Sequence, residues 1–122
     1  VDLTCSAASY TTRAEADPMV KREGIVEMAA VYLAGADVKT PLASPLHADL
    51  SGLPPLLVQV GRDEVLLDDS TQLAAQAKTA GVDATLEVWE DMIHVWHWFL
   101  PMLDEAQRAL ARIGEFVKAR MS

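Results

Sequence analysis

The apolar residues of the chain first indicate two strands. Residues 56–60, Leu-Leu-Val-Gln-Val, form a short and nearly continuous apolar run that Gly61 ends. Such a run is typical of a strand buried on both faces of a parallel sheet. Residues 84–90 alternate instead, with Leu86 and Val88 on one side. This alternation predicts a strand with one less buried face, which suits an edge strand.

Helical spacing of apolar residues predicts three further elements. The first helix is expected over residues 18–32, with Asp17 as its N-cap and Pro18 in its first position. The second follows the acidic and hydroxyl residues 68–70. The third has one apolar face, made of Leu103, Ala106, Leu110, Ile113 and Val117.

The order of the elements predicts an α/β fold in one domain. Helix, strand, helix, strand and helix follow one another, and residues 34–55, with four prolines and no sustained period, predict a long loop. Strands that alternate with helices indicate βαβ units and a parallel sheet. Two or three strands are few for such a sheet, so we expect residues 1–122 to be a single fragment whose sheet is incomplete.

Two candidate catalytic residues follow the two predicted strands. Asp63 lies just past the first strand, in Gly-Arg-Asp-Glu-Val-Leu-Leu-Asp-Asp, and His94 lies past the second, in Glu-Asp-Met-Ile-His. Functional groups of open α/β sheets gather beyond the carboxyl ends of the strands. A carboxylate there can hold an imidazole in the tautomer that accepts a proton from a hydroxyl. Taken alone, each residue has a non-catalytic explanation. Asp63 could stabilise a turn or cap a helix, and His94 could be a structural histidine.

The remaining polar candidates are weaker. His97 lies three residues after His94, which permits a two-histidine metal pair, but no third ligand accompanies it. We therefore expect no metal site, and proton transfer between a carboxylate, an imidazole and a hydroxyl needs no organic cofactor. Cys5 lacks the glycine flanks of a nucleophile elbow, and the same is true of Ser6, Ser9, Ser44, Ser51 and Ser70.

Four features follow one another after the first strand: the run Gly-Arg-Asp-Glu-Val-Leu-Leu-Asp-Asp-Ser, a helix that ends in Ala-Gly-Val, a strand, and then Met-Ile-His. In this order they resemble the C-terminal part of hormone-sensitive-lipase-like esterases, which are α/β-hydrolases. The resemblance implies that Asp63 and His94 are two members of a Ser-His-Asp triad. It also implies a cap-region insertion over residues 17–50. The Gly-x-Ser-x-Gly elbow and the His-Gly-Gly-Gly loop of that family do not occur in this sequence.

Composition and charge limit the classes of partner and the cellular location expected for the chain. Ten basic and eighteen acidic residues give a net charge of −8, which offers nucleic acid nothing to bind. The sequence has no run of about 18 apolar residues, so we expect no membrane span. The single cysteine allows no internal disulfide and favours a reducing compartment such as the cytoplasm.

Two functions remain open on the sequence alone. The first is a carboxylic ester hydrolase whose parent enzyme cleaves small acyl esters, with this chain supplying Asp63 and His94 and another segment supplying the serine. The second is a non-catalytic α/β module, or half of a two-chain assembly, that binds through an exposed sheet edge. Either one predicts a homo-oligomer or association with a missing N-terminal part. A hydrogen bond between Asp63 and His94 would favour the enzyme.

Overall fold

A short parallel sheet organises the chain in the computed structural model, which describes residues 1–121. Strand β1 (Leu56–Gly61) pairs with strand β2 (Ala84–Trp89), in a register that places Leu56 opposite Ala84 and Gly61 opposite Trp89. Helix α3 (Leu67–Thr79) connects the two strands. The predicted βαβ unit and the α/β fold class are therefore confirmed.

The other elements flank this unit. A single turn, α1 (Ser9–Thr12), and helix α2 (Arg22–Leu33) precede β1, and helix α4 (Asp104–Met121) follows β2. Two short 3-10 helices lie in the connecting segments, at Pro45–His47 and Trp96–Phe99. None of the helices in residues 1–121 has the length and apolar character needed to cross a membrane.

Two helix starts differ from the sequence prediction. Helix α2 begins at Arg22 rather than Pro18, because Asp17 does not cap it: the Asp17 carboxylate accepts the N–H groups of Met19 and Val20 in a turn before the helix. Helix α3 begins at Leu67, so the carboxylates of its first turn lie inside the helix rather than before it. Local acidic residues favour a helix start without fixing its first residue.

In residues 1–121, buried apolar residues form three clusters. The first joins the N-terminal segment and α2 to the turn after β1, the second lies under α3, and the third lies between α4 and the segment after β2. Their buried members are Cys5, Tyr10, Ile25 and Val65; Leu50, Ala77, Val82 and Ala84; and Met92, Trp96, Ala106 and Ala109.

Buried polar groups fasten the N-terminal segment to the start of α3. The carboxylate of Asp69 accepts the Asp2 N–H at 2.7 Å and the Tyr10 hydroxyl at 2.8 Å. Burial raises the pKa of Asp69, although these two donors oppose the rise. Burial next to Asp69 likewise raises the pKa of the Tyr10 hydroxyl, which stays protonated and donates. Because buried polar groups are costly when unpaired, these bonds fix how the segment lies on α3.

The third cluster yields a test of the packing. Trp96 is 1% exposed, whereas Trp98, in the same 3-10 helix, is 76% exposed. We expect Trp96→Ala to lower the free energy of unfolding by about 3–5 kcal/mol, because a buried aromatic ring leaves a cavity. Trp98→Ala should change it by less than about 0.5 kcal/mol. Urea unfolding followed by circular dichroism measures both, and equal effects would contradict this account of the core.

Candidate active site

A carboxylate and an imidazole meet where the two strands end. Glu64 lies in the turn after β1, and its Oε2 is 2.8 Å from Nδ1 of His94, in the segment after β2. The Glu64 side chain is 5% exposed and the His94 side chain is 32% exposed. The pair thus has a buried carboxylate and a partly accessible ring.

This contact determines which ring nitrogen can do chemistry. A carboxylate only accepts hydrogen bonds, so Nδ1 of His94 carries the proton and donates it to Glu64. The lone pair of a neutral imidazole is then on Nε2. An imidazole in this state can take a proton from a hydroxyl at Nε2 while the carboxylate stabilises the charge that forms.

Backbone geometry places His94 at a sharp bend. Asp91 and Val95, on either side of it, have left-handed backbone angles, with φ of 57° and 49°. A β-branched residue such as Val95 rarely adopts this conformation, which costs of order 1–3 kcal/mol. Strained residues of this kind cluster at functional sites because the surrounding contacts hold them in place.

The structure corrects the expected partner of His94. We expected Asp63 to bind the imidazole, but Glu64 occupies that position. The Asp63 carboxylate instead lies 4.0 Å from the Arg13 guanidinium, and both side chains are about one third exposed. The Asp63 N–H donates to the Met92 carbonyl at 3.1 Å, so Asp63 joins the two segments through its backbone. The turn directs the second of two adjacent carboxylates inward.

The sequence places two acidic residues at the end of β1 but does not determine which of them contacts His94. Asp63 and Glu64 are adjacent acidic residues at the strand exit, and either has the required chemistry. Which one points inward depends on the turn over residues 62–66, whose conformation is set by contacts distant in sequence. Val65, next in the chain, donates its N–H to the buried Asp17 carboxylate at 3.0 Å and accepts the Ser9 hydroxyl at 2.6 Å.

His97 belongs to a different network from His94. Its Nε2 lies 2.9 Å from the Gln59 side-chain oxygen, and the centroid of its ring lies 4.1 Å from that of the Trp96 ring. Burial lowers the pKa of His97. Gln59 also donates to Glu87, whose pKa is lowered because hydrogen bonds outweigh the opposing effect of burial. In residues 1–121, no three His, Cys, Asp or Glu side chains are grouped so as to hold a metal ion.

Ser9 and Ser44, whose side chains are buried, form structural hydrogen bonds. The Ser9 hydroxyl donates to the Val65 carbonyl and the Ser44 hydroxyl donates to Asp2. Cys5 is buried, and burial raises the pKa of its thiol. A raised pKa leaves less of the nucleophilic thiolate at neutral pH.

An apolar cavity adjoins the imidazole. His94 is one of its lining residues, and the cavity has a volume of about 470 Å³. Helix α2 and the loop after it supply much of the remaining wall, with Ile25, Met28, Ala29, Tyr32, Leu42 and Ala43. Apolar cavities with a few polar groups are the usual form of small-molecule sites.

Comparison with known proteins places the chain in a family. A sequence model described as an alpha/beta hydrolase fold matches residues 1–98. The chain belongs to the α/β-hydrolase family. It is 49% identical over 117 residues to an acetyl-hydrolase of Streptomyces hygroscopicus, which covers 96% of this chain and 39% of that protein. It is 36% identical to an esterase of Acinetobacter venetianus, over 95% of this chain and 39% of that protein.

Solved structures narrow the likeness within this family. A crystal structure of an esterase from the bacterial hormone-sensitive lipase family superposes with a TM-score of 0.98 at 54% identity, covering all of this chain and 41% of that one. A crystal structure of EstE5 gives a TM-score of 0.94 at 63% identity, over 97% of this chain and 40% of that one. The resemblance to hormone-sensitive-lipase-like esterases is confirmed, and the chain spans about two fifths of the length of these relatives.

The tautomer of His94 tests the observed pairing. In the chain labelled with ¹⁵N-histidine, we expect the neutral His94 ring to carry its proton on Nδ1, because Glu64 accepts it there. Glu64→Ala should reduce the Nδ1-protonated fraction, and Asp63→Ala should leave it unchanged. Ring ¹⁵N chemical shifts distinguish the two tautomers. Loss of the Nδ1-protonated form in Asp63→Ala alone would contradict the pairing with Glu64.

Proposed function

We propose that the chain supplies the general base and its orienting carboxylate to a carboxylic ester hydrolase. The observation that carries the proposal is the 2.8 Å contact between Glu64 and His94 at the edge of an apolar cavity. In this proposal His94 keeps the role expected from the sequence, and Glu64 takes the role expected for Asp63. The nucleophile is a serine outside residues 1–122.

The chemistry follows from the proton positions at His94. Nε2 takes the proton of the serine hydroxyl as its oxygen attacks the ester carbonyl, and Glu64 stabilises the imidazolium. The imidazolium then protonates the leaving alcohol, which completes the acyl-enzyme. In the second half of the reaction, Nε2 takes a proton from a water molecule as the water oxygen attacks the acyl carbonyl. The imidazolium then gives this proton to the serine oxygen as the bond between that oxygen and the acyl carbon breaks, which releases the acid. Protons move only between groups already present, so the sequence of steps requires no metal or organic cofactor.

The cavity supports a small acyl ester as substrate. Its walls are mostly apolar side chains beside the imidazole, and they favour an uncharged substrate with a small apolar group. The names of the relatives, an acetyl-hydrolase and an esterase, agree with this class. Residues of α2 and the following loop form part of the cavity wall, and we therefore keep residues 17–50 as the cap region of the site.

A second proposal concerns association of the chain. Within residues 1–121 the sheet has two strands, so β2 has one edge that no other strand covers. Free N–H and C=O groups on such an edge favour pairing with another strand. We propose that the chain associates with the rest of its parent enzyme or with a second copy.

The alternative function, a non-catalytic α/β module, predicts that His94 has no carboxylate partner. The contact between Glu64 and His94 therefore favours the enzyme. We further propose that the parent enzyme acts on a small-molecule substrate and is located in the cytoplasm.

A fusion protein tests the proposed reaction. The chain is joined to the part of the Streptomyces hygroscopicus acetyl-hydrolase that it does not match, and hydrolysis of p-nitrophenyl acetate is measured. We expect the fusion to be active and the chain alone to stay at background. His94→Ala and Glu64→Gln should each reduce kcat about 10⁴-fold or more, since triad members act as a unit. Asp63→Asn is the matched control and should change kcat less than about threefold, because Asp63 contacts Arg13 rather than the ring.

Two results would contradict the proposal. A folded fusion without esterase activity would remove the chain from ester hydrolysis, provided that the unmodified acetyl-hydrolase is active in the same assay. A loss in Asp63→Asn equal to that in Glu64→Gln would return the orienting role to Asp63.

A further inference from the structure

We propose that Gly61 is a positioning residue of this site: its missing side chain and its N–H group together fix where Glu64 meets His94. The catalytic meaning of this inference rests on the proposed function. Gly61 is the last residue of β1, three positions before Glu64. It neither touches the imidazole nor takes part in proton transfer.

The missing side chain lets the His94 segment approach the strand. A Cβ atom at Gly61 would lie 2.1 Å from the Met92 carbonyl oxygen, 2.6 Å from its carbon and 3.1 Å from the Ile93 nitrogen. These are backbone atoms, so no side-chain rotation could relieve the contact. Gly61 has no left-handed backbone angle, and the site therefore requires glycine for space rather than for conformation.

Backbone hydrogen bonds hold the two segments at this short distance. The Arg62 N–H donates to the Trp89 carbonyl at 2.9 Å and the Asp63 N–H donates to the Met92 carbonyl at 3.1 Å. These bonds continue the pairing of β1 and β2 beyond the strand ends. The Met92 carbonyl, which passes over Gly61, lies two residues before His94, so a shift of this carbonyl moves the imidazole.

The N–H group of Gly61 fixes the carboxylate. It donates to Oε1 of Glu64 at 2.5 Å, while Oε2 of the same carboxylate accepts from His94. Both oxygens of Glu64 are therefore held, one by each segment. A carboxylate anchored at one oxygen cannot rotate the other away from the ring, and Gly61 thereby sets the direction of the hydrogen bond to Nδ1.

The structure predicts the effect of one added methyl group. In Gly61→Ala, the Cβ atom and the Met92 oxygen must separate by about 1 Å to reach an ordinary contact. A misplacement of this size costs about 100-fold in rate when it falls on reacting groups. Gly114→Ala is the matched control, since a Cβ atom at Gly114 in α4 would meet nothing within 4 Å.

The first experiment measures both variants in the fusion protein. We expect Gly61→Ala to lower kcat for p-nitrophenyl acetate about 100-fold with KM within about threefold, because the imidazole moves while the cavity walls supplied by α2 and the loop after it stay in place. Gly114→Ala should keep kcat. In the His94→Ala background, Gly61→Ala should change the residual rate less than about threefold, because its effect acts through the imidazole. An equal loss with and without His94 would show general damage and overturn the inference.

The second experiment does not require catalysis. In the ¹⁵N-histidine-labelled chain, Gly61→Ala should reduce the Nδ1-protonated fraction of His94 and Gly114→Ala should not. In the chain with Gly61 intact, Glu64→Ala should increase hydrogen exchange of the Gly61 amide at least about tenfold, because the amide loses its acceptor. That measurement applies even if Gly61→Ala does not fold. Unchanged amide exchange would overturn the role of the Gly61 N–H group.

The two experiments separate this inference from the proposed function. An inactive but folded fusion together with the expected tautomer and exchange changes would remove the esterase role and leave Gly61 as the residue that positions Glu64. An active fusion in which Gly61→Ala keeps both its rate and its His94 tautomer would leave the esterase role and overturn the inference about Gly61.

Discussion

The hydrogen bond from His94 to Glu64 is the contact on which the site depends, because it joins the exits of the two strands. It requires a carboxylate that is almost fully buried, with a side chain 5% exposed, and such a group is stable only when donors surround it. The Gly61 N–H and the His94 ring supply these donors. The same bond leaves Nε2 as the nitrogen that can accept a proton.

The turn that carries Glu64 is held from the opposite side by the N-terminal segment. Asp17 is fully buried and binds three backbone N–H groups, those of Met19, Val20 and Val65. The Ser9 hydroxyl binds the carbonyl of Val65. The N–H and the carbonyl of the residue after Glu64 are thus both fixed by side chains more than 40 positions away in sequence. Residues that touch neither the ring nor the cavity therefore contribute to the orientation of the carboxylate.

Much of the fold could be predicted from local pattern. The continuous apolar run of β1 and the alternation of β2 predicted the two strands, and the helix between them predicted their parallel pairing. Burial follows these patterns only in part, because residues 56–59 of β1 and residues 85–89 of β2 are half-buried. The start of α2 was wrong because Asp17 serves a long-range contact instead of a helix cap. His94 could be located at a strand exit, whereas the choice between Asp63 and Glu64 required the conformation of a turn set by tertiary hydrogen bonds.

The role of His94 as general base requires the nucleophilic serine to lie next to its Nε2 atom. A crystal structure of the fusion protein inactivated with phenylmethanesulfonyl fluoride would show which serine is modified. We expect the modified serine to lie outside residues 1–122, and in the uninhibited fusion we expect its hydroxyl oxygen to lie about 2.6–3.2 Å from Nε2 of His94 while Nδ1 stays bound to Glu64. A modified serine remote from His94, or a ring that has turned to Asp63, would contradict this account.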